Sequence, residues 1–225
     1  MPTPPSPLAR RLVGGTLIGA SALSLLAMSH HPTAHGMSKE LWVADLVRIG
    51  ALSRPVHGGM IVCVIALWLA LAEWTAWRGT ALARIAEKLY GLGAIAMIGA
   101  ALINGFAIDH YASSALQGGP DALRDAARVM PLAWSLNQTL AGFGVFALSG
   151  GIVAWSIDLW RGPGVLARVA ATYGVVVMLG LCATFAFSAF ELDVTGMAAV
   201  VLAQAFWYVT TGIVSWRHAT FLGKN

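Results

Sequence analysis

Six stretches of this chain run for eighteen residues or more with almost no charge. They lie near 12–29, 57–76, 89–108, 132–157, 166–190 and 195–216, and only Glu73 and Arg168 within them are charged. A helix needs about 20 mostly apolar residues to cross a bilayer. No water is present in the hydrocarbon to satisfy backbone groups, so a spanning segment without strand-like alternation must be helical. The constraint is severe: an all-α, polytopic membrane protein with six transmembrane helices in a single domain over 1–225.

Composition agrees. Of the 225 residues 58% are hydrophobic and 11% charged, whereas soluble domains carry roughly 25% charged residues. Mean hydropathy is +0.73. The two cysteines, Cys63 and Cys182, sit inside apolar runs and read as reduced thiols rather than a disulfide framework. The start, MPTPPSPLARR before LVGGTLIGASALSLLA, has the basic and then apolar pattern of a signal peptide. We read it as a short tail, 1–11, and a retained first span.

Lysine and arginine set the orientation. Arg10, Arg11, Arg78, Arg84, Lys88, Arg161, Arg168, Arg217 and Lys224 fall at one set of helix ends. Lys39, Arg48, Arg54, Arg124 and Arg128 fall at the other. Nine against five places the first set in the cytoplasm. Both termini, including the tail 217–225, are then inside a bacterial-type inner (plasma) membrane. The segments 30–56 and 109–131 become outer loops.

Each outer loop contains helical signals. SKELWVADLVRIGAL opens at Ser38, a good N-cap, and spaces Trp42, Leu46 and Ile49 on one face. GGPDALRDAARVM starts at Pro120 and pairs Asp121 with Arg124 and Asp125 with Arg128. Both predict short amphipathic helices lying on the outer surface.

The two cytoplasmic turns are similar to each other. WRGTALARIAEKLYG (77–91) and WRGPGVLARVAATYG (160–174) share nine positions when one compensated shift is allowed. Duplication of a two-helix hairpin would make helices two to five a four-helix bundle with a pseudo-two-fold, flanked by helices one and six. Convergence is the competing explanation, because Trp, Arg and Tyr are all favoured at the interface.

Polar side chains inside spans mark sites or glue. Asn104, Asn137 and Gln138 lie at similar depth in the outer half, and Gln204 lies near the middle of its span. Interhelical hydrogen bonding is the plain reading of the three outer amides. The inner halves hold little beyond Ser and Thr, which can bond to their own helix. An outer vestibule is expected, and no continuous polar pathway of the kind an ion-coupled transporter uses is visible.

Histidine and methionine are one-sided. His30, His31, His35, His57 and His110 are outer, as are Met28, Met37, Met60, Met130 and Met197. Imidazole with thioether suits copper, with thioether selecting the cuprous form. His57, Met60, His30, His31, His35 and Met37 are the candidate metal ligands. The alternative for this stretch, MSHHPTAHGM, is a solvated connector. A further possibility is haem b held by His57 and His110, with Asn104, Asn137 and Gln138 lining its site.

No nucleophile elbow, phosphate loop, dinucleotide fingerprint or basic tract for nucleic acid is present. Three function classes remain. The first is a non-enzymatic accessory or assembly subunit of a membrane complex, with protein partners or a second copy docked on small-residue stripes such as Gly91, Gly93 and Gly99. The second is an outward-facing copper or haem protein. The third is an enzyme acting on a lipid or quinone at the outer leaflet through Asp109, Glu191 and Asp193.

Overall fold

The computed structural model describes residues 5–33, 39–162, 164–187 and 192–222, with only the backbone at 39–42 and 218–222. Every regular element among them is helical. They are α1 (Pro7–Ser29), α2 (Lys39–Arg78), α3 (Ala81–Leu102), a π-helical segment (Ile103–Ala107), α4 (Ile108–Gln117), α5 (Gly119–Trp160), α6 (Val165–Phe187) and α7 (Val194–Leu222). Six helices are long and apolar enough to cross a membrane, with α3, the π segment and α4 forming one span. The chain is therefore a polytopic membrane protein. We call the end where α1 finishes and α2 begins the histidine end, and the opposite one the arginine end.

The spans form a closed ring in chain order. α1 packs on α2, α2 on α3, α3 on α5, α5 on α6, α6 on α7, and α7 returns to α1. This differs from a four-helix bundle of the second to fifth spans with two helices outside it. Among the described residues α2 and α6 share no extensive interface, because α1 and α7 lie between them. Glycine decides which helices close up. A Cβ on Gly14 would lie 2.6 Å from the Gly212 carbonyl oxygen, and one on Gly93 would lie 2.9 Å from that of Gly144. Bare glycine faces let backbones approach, and dispersion then supplies the attraction that lipid cannot. The α1–α7 and α3–α5 interfaces, the two most extensive, are built on these crossings.

The two similar turns are not conformational copies. In the first, Gly79 takes φ 66 to end α2; in the second, the left-handed position falls on Gly164, with φ 102. The first turn is clamped from α5. Arg78 Nε donates to Asp158 Oδ2 at 2.5 Å, Arg78 Nη2 to the Asp158 carbonyl at 2.9 Å, and Thr80 Oγ1 to Asp158 Oδ1 at 2.8 Å. Above it, Trp74, Trp155 and Trp207 meet with centroids 6.2–6.3 Å apart. Tyr90 and Tyr208 share a hydrogen bond of 2.9 Å beside them. This aromatic plug fills the ring axis at the arginine end.

The amphipathic segments do not lie flat as separate surface helices. Each continues a span through a proline, Pro55 in α2 and Pro131 in α5. A 40-residue helix is about 60 Å long, twice the ~30 Å hydrocarbon core. The reason is register. Leu46, Ile49, Ser53 and His57 line one cavity wall at spacings of three and four residues, so the apolar face passes through Pro55 in phase. Ala127, Pro131 and Trp134 do the same in α5. The apolar faces also find each other. Val43, Ile108, Ala112 and Met130 form one buried cluster joining α2, α4 and α5, so these faces are covered by protein rather than by lipid. Cys63 is buried, Cys182 is half-buried, and both are free.

Candidate functional site

At the histidine end the ring opens. A cavity of about 660 Å³ is lined by His31, Ser53, His57, Asn104, Asp109 and Trp134, among others. Beneath it lies a smaller chamber of about 80 Å³, which shares His31, His57, Asn104, Trp134 and Asp193 with the outer cavity. Four methionines, Met28, Met60, Met97 and Met197, line this chamber. A third space of about 50 Å³ continues past Met60, Met97 and Met197 to Gln204, Tyr90 and Tyr208. The cavities thus descend from an open mouth to the aromatic plug, becoming apolar on the way.

His57 is the hub and is 3% exposed. Its Nδ1 lies 2.8 Å from the Ser53 carbonyl oxygen. A carbonyl only accepts, so Nδ1 carries the proton and the Nε2 lone pair faces the chamber. Asn104 Nδ2 donates to that Nε2 at 3.0 Å, and His31 Nε2 lies 3.2 Å from it. Local backbone produces this arrangement. Asn104 sits in the π-helical segment, a one-turn irregularity that re-aims side chains. Gly105 beside it leaves room for His57, since any Cβ there would collide with the imidazole.

His31 follows the end of α1 and folds over the chamber. Burial first, and then the nearby charge of His57, lower its pKa from 6.5 to about 4, against the pull of the Pro32 carbonyl. It is therefore neutral at pH 7. Because His57 Nε2 accepts, His31 Nε2 carries the proton and donates to it, leaving the lone pair on a buried, unpartnered Nδ1, so a metal ion between the two Nε2 atoms would take the place of that proton. The next pair outward is ionic. Arg54 Nε donates to Asp109 Oδ2 at 2.5 Å, and Gly50 makes space for the carboxylate.

The structure unites some of the candidate residues and separates others. His31, His57, Met60, Asn104, Asn137 and Gln138 line one chamber. Asn137 is 6% exposed and makes no hydrogen bond among the described residues. Gln138 donates to the Leu192 carbonyl at 3.3 Å and does act as glue. His30 is exposed, with Nδ1 3.0 Å from the Leu26 carbonyl at the end of α1. His110 is exposed and lines neither cavity, so the pair needed for haem is not assembled. His35, Met37 and Glu191 fall outside the described residues. Asp109 is held by Arg54, and Asp193 Oδ1 accepts the Gly196 N–H at 2.7 Å. Both carboxylates thus have partners among the described residues.

Sequence reasoning passed over Ser53, Met97 and Trp134 as site residues. Ser53 was findable, because it stands one helical turn before His57. Met97 and Trp134 were not, because only the ring brings α3 and α5 to the same chamber. Among the described residues no group of three His, Cys, Asp or Glu side chains is placed to hold a metal ion. No known protein family, curated protein or solved structure matches the chain.

Proposed function

We propose that this protein binds a cuprous ion at the outer face of a bacterial-type inner membrane, with His57 and His31 as nitrogen ligands and Met60 and Met28 as sulfur ligands. One observation carries the reading: two imidazoles meet Nε2 to Nε2 at 3.2 Å on the wall of a four-methionine chamber. Metal–imidazole bonds of about 2.0–2.1 Å closing on that separation meet at a roughly tetrahedral angle. A histidine that ligates metal normally gives its other N–H to a carbonyl, as His57 does to Ser53. The donors are neutral and soft, which favours a monovalent thiophilic ion over zinc or calcium. In this reading the nine-arginine-and-lysine end faces the cytoplasm and the chamber opens outward. His30 is spent on capping α1, and His35 and Met37 belong to the segment that follows. Haem b is not favoured, since His110 lies away from the chamber.

The small-residue stripe is used in packing within the chain. Gly91 abuts Trp68, Gly93 abuts Leu148, and Gly99 abuts Leu140, so all three serve contacts within the chain. Titration of the purified protein with cuprous ion against a chromophoric chelator tests the proposal. Wild type should compete at one equivalent. His57→Ala should weaken binding about tenfold or more, and His110→Ala should not change it. Equal binding by wild type and His57→Ala would overturn it.

A further inference from the structure

The arginine end holds a further cavity, separated from the others by the aromatic plug. It measures about 240 Å³ and is lined by Arg10, Trp74, Trp77, Arg78 and Ser215, among others. Its two guanidinium groups are in different situations. Arg78 is neutralised by Asp158 and lies over the Trp74 ring at 5.9 Å. Among the described residues Arg10 has no acidic partner, and its Nε is buried without a hydrogen bond, which leaves the two terminal nitrogens to meet the cavity. The Ser215 hydroxyl donates to the Arg10 backbone carbonyl at 3.2 Å and does nothing for the guanidinium.

A guanidinium without a counter-charge keeps its full positive charge beside the cavity and has donors left for an anion. The acids described nearby have other partners. Asp158 is occupied by Arg78 and Thr80. Glu73 accepts from Trp77 Nε1 at 2.8 Å on the exposed side of α2. A cavity with a net positive charge, planar donors and indole walls matches an oxyanion with several acceptor oxygens. Guanidinium forks are the usual partner of phosphate.

We infer that the cavity between α1, α2, α5, α6 and α7 at the arginine end binds a phosphate group, with Arg10 as the principal ligand and Arg78 beside it. The group belongs to a free phosphate ester or to an anionic phospholipid headgroup. The site is independent of the metal reading, being on the other side of the plug.

The test uses the full chain in lipid nanodiscs and reads tryptophan fluorescence, since Trp74 and Trp77 line the cavity. One arm titrates inorganic phosphate into zwitterionic nanodiscs. The other compares zwitterionic nanodiscs with discs containing phosphatidylglycerol. A saturable change in the first arm identifies a free anion, and one confined to the second identifies a headgroup. In either case Arg10→Gln should weaken the response about tenfold or more. Arg10→Lys keeps the charge, carries the test if the glutamine variant does not fold, and should weaken it less. No saturable response in either arm, or an undiminished response in the folded Arg10 variants, would overturn the inference.

Discussion

At the scale of single residues the proposed metal site turns on which nitrogen of each histidine is free. The Ser53 carbonyl fixes one tautomer of His57 and leaves Nε2 as acceptor. His31 completes the pair only while neutral. Its pKa is lowered, so between pH 6.5 and about 4 the unfolded chain binds more protons than the folded one. The His31–His57 contact is thus fully held above pH 6.5. The penalty grows as pH falls through that window and is complete below about 4. NMR titration of the metal-free protein labelled at histidine should give His31 a midpoint well under 6; a midpoint near 6.5 would show that His31 does not sit over the chamber. The one-sided histidines and the importance of His57 were legible in the sequence. What separates His31 from His30 was not, because it depends on where α1 stops: His30 bonds back to Leu26 while His31 swings clear of the helix.

At the scale of helices, glycines and one ion pair set the geometry. Gly93 meets backbone of α5, which cannot shift, with Leu148 N at 2.7 Å from an added Cβ. Gly93→Val should therefore destabilise by about 1–3 kcal/mol. Gly19 has nothing within 4 Å, so Gly19→Ala should leave stability unchanged or raise it by about 0.5–1 kcal/mol. Thermal unfolding in detergent compares the two, and equal losses would deny that α3 and α5 cross where described. Removing Arg54 leaves Asp109, 5% exposed, without its counter-charge. Arg54→Ala should lower the melting temperature, and adding Asp109→Asn should restore part of it. The helical segments themselves were readable from their period. Their continuation through Pro55 and Pro131 was not, since a proline usually marks a boundary and only the shared apolar register overrides it. The π segment at Asn104 left no sequence mark beyond the adjacent glycine.

At the scale of the whole molecule, six spans close a ring that is open at the histidine end and filled by tryptophan at the arginine end. Hydropathy alone gave the number of spans, because each is long and nearly uncharged. Their order around the ring was hidden, because contacts between helices distant in the chain, such as Gly14 with Gly212, carry no periodic signal. Orientation should follow the arginines. In a background lacking Cys63 and Cys182, Thr33→Cys should react with an impermeant thiol reagent from the outer side of intact cells, and reaction only after lysis would reverse the orientation. The central claim is that imidazole and thioether meet on one ion in the chamber. X-ray absorption at the copper edge of the cuprous-loaded protein tests it most directly. Nitrogen and sulfur scatterers are expected together in the first shell, with the nitrogen contribution reduced in His57→Ala and the sulfur contribution reduced in Met60→Leu. A first shell of nitrogen or oxygen alone, unchanged by either substitution, would contradict it.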